Sequence, residues 1–207
     1  MMLRNLAFAV LFLGLGRAAV AAEMANPPVG QAAPTFSVTG IDGKSYSLKS
    51  LKGKTVVLEW MNPHCPFSRA QYESKNTQSL EAKYRAKGVV WISVNSSAEG
   101  KEGYFASDAE ASQYLQGEGA KPSTLVRDPD GNLGLSFGAK TTPHLFVIDK
   151  SGKLAYKGAM DDHPTTEADE IAKSHNWVSD ALDSLLAGKA VGVAETRPYG
   201  CGVKYKD

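Results

Sequence analysis

The chain has 207 residues, 43% of them hydrophobic and 22% charged, with a formal net charge of +1. This ordinary globular mix excludes collagen-like, coiled-coil and low-complexity chains, and near-neutral charge without a long basic run leaves no footprint for a nucleic-acid partner. Two cysteines, Cys65 and Cys201, exclude a four-thiolate zinc site and a disulfide-rich scaffold.

In chain order, residues 1–21 read as a signal peptide. Arg4 supplies a positive start, Leu6 to Leu15 an apolar run, and Ala19-Val20-Ala21 a small-residue cleavage site. The apolar run is about half of what a membrane span needs. The expected product is periplasmic or secreted and has no membrane partner after cleavage. Both cysteines then lie in a disulfide-permissive compartment. Residues 22–34, rich in Ala, Pro and Gly, read as a linker, 35–188 as one domain, and 189–207 as a tail carrying Cys201.

Thr35 to Thr39 and Ser45 to Leu48 flank Asp42-Gly43, a hairpin signal. Thr55 to Trp60 is a short apolar run, as in a central strand buried on both faces. Cys65 to Lys87 reads as one helix, opened by Pro66, whose missing N–H costs nothing in the first turn. Val89 to Val94 is the next strand. This strand–helix–strand order predicts a parallel pair with a right-handed crossover.

Ser107 and Glu110 form a capping box for an inserted helix over 108–118. Thr124 to Arg127 is a third strand, followed by a short helix over 132–137. His144 to Asp149 and Leu154 to Gly158 make a second hairpin. Asn176 to Ala187 keeps helical spacing of apolar residues. The sum is an α/β, three-layer fold: a mixed central sheet flanked by helices, with an N-terminal β-hairpin and an inserted helix.

Cys65 opens a helix just after a buried strand. A helix N-terminus carries unpaired N–H groups and partial positive charge. Both favour a thiolate, so a cysteine there is reactive. A buried structural cysteine is the alternative.

The segment Trp60-Met61-Asn62-Pro63-His64-Cys65-Pro66-Phe67-Ser68 resembles the active-site region of thioredoxin-fold redoxins, the bacterial alkyl hydroperoxide reductase / thiol-specific antioxidant group. Val29 to Pro34 resembles the usual opening of that family. Lys140-Thr141-Thr142-Pro143-His144 resembles its cis-proline loop, and Asp149 to Gly152 its hairpin turn. The resemblance implies a thioredoxin-like fold with Cys65 as the reactive cysteine and Pro143 as a cis-proline beside it. The backbone of Thr142 would then pair with an extended substrate segment. Two positions depart from the family. Ser68 stands where thioredoxin-type enzymes carry a second cysteine, so it can stabilise the thiolate but form no disulfide. Asn62 stands where peroxiredoxins carry a peroxide-activating Thr or Ser.

Glu59 lies in an otherwise apolar strand, at a place similar to the buried acid of thioredoxins. There it would have a raised pKa and shuttle protons; an exposed strand-end glutamate is the other reading. His64, if protonated, would stabilise the thiolate. Cys201 is expected to resolve oxidised Cys65 in place of the missing partner at Ser68. A permanent Cys65–Cys201 staple is the structural alternative.

The leading expectation is an exported thiol–disulfide oxidoreductase acting on a protein or small-molecule thiol or disulfide, without a cofactor. Alternatives are a thiol peroxidase and a non-enzymatic binding module or metallochaperone. His64, Cys65 and His144 raise the metal question, but no metal is expected. Asp161-Asp162-His163 reads as a solvated loop. Tyr104, Phe105 and Tyr114 read as core packing or as a substrate wall.

Overall fold

The computed structural model describes residues 25–207. The signal-peptide reading of residues 1–21 lies outside them. From residue 25 on, the expected linker is held against the domain. Ala25 N–H donates to the Leu135 carbonyl, Gly30 N–H to Leu154, and Ala33 N–H to Gly152. Lys157 Nζ adds bonds to Asn26 and Pro27. Backbone donors of this segment find partners on the domain rather than in water.

Strand β1 (Ser37–Thr39) pairs antiparallel with β2 (Ser45–Ser47). Asp42 shapes their turn by accepting from Lys44 N–H and Tyr46 O–H. Then come β3 (Val56–Trp60), α1 (Pro66–Glu73), α2 (Asn76–Arg85) and β4 (Val90–Asn95). Next are α3 (Asp108–Glu118), β5 (Thr124–Arg127) and α4 (Asn132–Phe137). The chain continues with β6 (Thr141–Thr142), β7 (His144–Ile148), β8 (Leu154–Gly158), α5 (Ala168–Ile171), α6 (Trp177–Leu186) and β9 (Cys201–Gly202).

The central sheet has the order β5-β4-β3-β7-β8. Pairs β3–β4 and β4–β5 are parallel, while β3–β7 and β7–β8 are antiparallel. It is the expected mixed sheet. Every residue of β3 is buried, and its side chains alternate between two cores. Val56, Leu58 and Trp60 pack with Phe137, Phe146 and the hairpin side chains. Val57 packs with Tyr84, Trp91 and Leu182 on the face covered by α2 and α6. A third cluster joins Tyr72 of α1 to Phe105 and Leu115, with Tyr114 packed against it, which is the core use of Phe105 and Tyr114.

One expected element is wrong. The single helix over 65–87 is two helices, broken at Ser74-Lys75, where Lys75 adopts φ 62°. No Gly or Pro marks the break. Ser74 N–H and Lys75 N–H close the last turn of α1 on the Ala70 and Tyr72 carbonyls, and Lys75 is the N-cap residue of α2. The inserted helix is capped as expected: Ser107 Oγ accepts from Glu110 N–H. Glu110 reaches back to Ala106 N–H, one residue before the cap.

Candidate active site

Strand β3 delivers the chain from the core to the start of α1, and Asn62 fixes the short loop between them. Its Oδ1 accepts from His64 N–H at 2.8 Å, and its Nδ2 donates to Ser97 Oγ and the Glu102 carbonyl. Gly103 is needed for this approach, because a side chain there would strike Asn62. Cys65 follows as the N-cap residue of α1, with Pro66 in the first turn. Its side chain is buried, with 2% of the residue exposed.

The Cys65 thiol donates to the Thr142 carbonyl at 3.0 Å. The Thr142–Pro143 peptide bond is cis. Strand β6 continues into a two-residue antiparallel ladder with β9, in which Thr142 faces Cys201 and Thr141 faces Gly202. The ladder brings both cysteines to one carbonyl, and neither is in a disulfide. Gly200, at φ 119°, lies so close to the Thr142 carbonyl that any side chain there would collide with it.

The two thiols are tuned in opposite directions. Burial acts to raise Cys65. Hydrogen bonds from the Cys201 thiol, from Thr142 and from the Ser68 and Cys201 backbones outweigh it, so Cys65 lies below its ordinary value. Cys201 is pushed up to about 12, by burial first and then by donating to Cys65 and facing its charge. The arrangement shifts Cys65 toward the thiolate and keeps Cys201 a thiol at neutral pH.

The tail is anchored on both sides of Cys201. Tyr199 O–H donates to buried Asp161 at 2.6 Å, which also accepts from Gln71 Nε2 of α1. The Tyr199 ring meets Phe67 edge-on. Beyond Cys201, Val203 N–H bonds Lys140, the Lys204 carbonyl accepts from Ala98 N–H, and Tyr205 O–H reaches Ala139. Asp161 therefore corrects the solvated-loop reading: it is 1% exposed. A groove of about 640 Å³ runs beside the ladder, lined by Thr141, Asp161, Trp177, Arg197, Tyr199 and Gly200.

Glu59 is fully buried in β3, which removes the strand-end alternative. Trp91 Nε1 and Tyr72 O–H donate to its two oxygens, at 2.8 and 3.3 Å. Burial dominates and raises it to about 7. Ser68 turns its backbone N–H toward Cys65, while its hydroxyl accepts from Asn62 N–H. His64 is exposed, and its ring makes no hydrogen bond to Cys65 among the described residues. His144 is held neutral, with burial pushing it down to about 3, and its Nδ1 accepts from Lys140 N–H. Among the described residues, no three His, Cys, Asp or Glu side chains are grouped to hold a metal ion.

Sequence reasoning missed Asn62 as an organiser of the loop, and Tyr199, Asp161 and Gln71 as anchors of the tail. Gly200 is the available signal, since glycine permits a close backbone approach.

The Redoxin family profile matches residues 28–174. Thiol:disulfide interchange protein DsbE of Tatumella citrea is 30% identical over 154 residues, covering 73% of this chain and 76% of its own. Thiol-disulfide oxidoreductase ResA of Bacillus anthracis is 29% identical over 133 residues, covering 64% and 70%. A crystal structure assigned to thiol:disulfide interchange protein DsbE of Chlorobium tepidum has a TM-score of 0.55 at 27% identity, covering 76% of this chain and 99% of its own. Together with the mixed sheet and the Cys65 helix start, these likenesses place the chain in the Redoxin family, with a thioredoxin-like fold.

Proposed function

We propose that the protein is a thiol–disulfide oxidoreductase in which Cys65 is the nucleophile and Cys201 the resolving cysteine. The observation that carries this reading is the register of Cys201 opposite Thr142, whose carbonyl accepts the Cys65 thiol. The substrate class is a thiol or disulfide. Residues 1–21 carry the export part of the reading, and no described helix is long and apolar enough to cross a membrane.

The Cys65 thiolate attacks one sulfur of a disulfide R–S–S–R′. A Cys65–S–R bond forms, the S–S bond breaks, and R′–S⁻ leaves and takes a proton from solvent. Cys201 then attacks the Cys65 sulfur while its proton passes to the departing R–S⁻. A Cys65–Cys201 bond forms and R–SH leaves. Two electrons pass from the cysteine pair to the substrate, and the reverse sequence oxidises a dithiol. Thr142 and Pro143 position the reacting segment. Glu59, protonated up to about pH 7, is the buried acid that exchanges protons with the site. Ser68 supports the thiolate through its backbone N–H.

The peroxidase alternative draws no support from Asn62, whose amide is taken up by Ser97 and Glu102. The test uses a small disulfide, 2-hydroxyethyl disulfide. Cys201→Ser is expected to accumulate a mixed disulfide at Cys65, seen by mass spectrometry, while Cys65→Ser forms none and loses exchange by on the order of 1,000-fold. Wild-type turnover by Cys65→Ser, or no adduct on Cys201→Ser, would overturn the reading.

A further inference from the structure

Strand β6 is two residues long, and its partner among the described residues is the chain's own tail. A short free edge of this kind accepts an added strand through main-chain hydrogen bonds unless something covers it. The residue facing Thr142 in such a strand is carried to the Cys65 sulfur, because Cys65 bonds the Thr142 carbonyl. Cys201 stands at that place. A substrate cysteine in an extended polypeptide would need the same register and the same main-chain partners.

The tail holds this position through separate local contacts: the Tyr199–Asp161 bond, the Phe67–Tyr199 ring contact, the two-residue ladder, backbone bonds at Val203 and Lys204, the Tyr205 bond to Ala139 and the Lys204–Glu102 ion pair. The Tyr205 ring lies so close to Gly131 and Gly134 that a side chain at either would strike it. A segment held by such local contacts opens at lower cost than the core sheet.

We propose that residues 198–205 are an intramolecular stand-in for a substrate strand, so that a polypeptide disulfide and the tail occupy the β6 edge in turn. This rests on the cysteine roles proposed above. A polypeptide reaches Cys65 once the tail lifts. After the first exchange, the tail's return carries Cys201 back to Cys65 and displaces the polypeptide from the same edge. A small disulfide forms no strand and requires less of the tail to move.

The test compares mixed-disulfide formation at Cys65 with insulin, a polypeptide disulfide, and with 2-hydroxyethyl disulfide. Three proteins are used: Cys201→Ser, which keeps the tail; a chain ending at Arg197; and Cys201→Ser with Tyr205→Ala, which loosens the tail and serves if the shortened chain fails to fold. The ratio of the insulin rate to the small-disulfide rate is expected to rise about tenfold or more in the shortened chain, as for an edge that is open a tenth of the time or less. It should rise less with Tyr205→Ala. A synthetic peptide of residues 198–207 carrying Cys201→Ser should lower the ratio again in the shortened chain. An unchanged ratio in the folded variants would overturn the stand-in role while leaving the cysteine roles intact. Failure of both disulfides to react with Cys65 in every variant would overturn the cysteine roles, and the stand-in role with them.

Discussion

Cys65 and Cys201 meet at the Thr142 carbonyl, but very different structures bring them there. Cys65 lies at the end of a buried central strand, on a loop pinned by Asn62, at the first turn of α1. Cys201 lies on a two-residue strand in a tail held by a few side-chain anchors. The chemistry divides the same way. Backbone and thiol donors gather around Cys65 and lower it, while Cys201 is a donor to that sulfur and is raised to about 12. In the proposed mechanism the core fixes the nucleophile and the tail supplies its protonated partner.

The largest expected effect probes the core side. Glu59 is raised from 4.5 to about 7 by burial. The folded chain therefore keeps a proton that the unfolded chain loses above about pH 4.5. The associated stability is complete below pH 4.5, falls as pH rises, and is gone above about pH 7, a loss of about 3 kcal/mol. Glu59→Gln should remove that fall. Glu81, raised to about 8 by burial and then by the charge of Glu59, keeps a fall in the same direction, made smaller by the loss of that charge. Urea unfolding at pH 5 and pH 8 measures the difference, and equal slopes for both proteins would contradict the assignment.

The tail side responds to a single methyl group. Gly200→Ala combines an unfavourable φ with a collision at the Thr142 carbonyl. It should cost about 2 kcal/mol and slow formation of the Cys65–Cys201 bond, read by free-thiol counting after a pulse of oxidant. Closure at the wild-type rate would mean the ladder does not deliver Cys201. Tyr199→Phe is the smallest change. It removes one of two side-chain donors to buried Asp161, for a loss of about 1 kcal/mol, with a matching increase in Cys201 alkylation. An unaltered alkylation rate would show that Tyr199 does not restrain the tail.

The same division governs what could be read from residues alone. Strand β3, the inserted helix and the α4 turn follow apolar runs and caps, and they lie where those signals put them. Glu59 was conspicuous as an acid in an apolar run. The break at Lys75 carries no Gly or Pro, so no residue type in the segment marks it. The β6–β9 ladder is too short for any periodicity, and in a Gly- and Pro-containing tail it reads as coil. Asp161 and Asp162 are chemically alike, yet only Asp161 is buried. That distinction depends on Tyr199 and Gln71, which are distant in sequence.

In the proposed mechanism Cys65 and Cys201 form one reversible redox couple. It is tested most directly by counting free thiols on the native protein across a graded thiol–disulfide buffer. Both thiols are expected to vanish together as a two-electron couple, with about 30 mV per tenfold change in the ratio of oxidised to reduced protein and a potential above about −300 mV. A potential below about −300 mV would make the bond a permanent staple, and independent titration of the two thiols would deny the couple altogether.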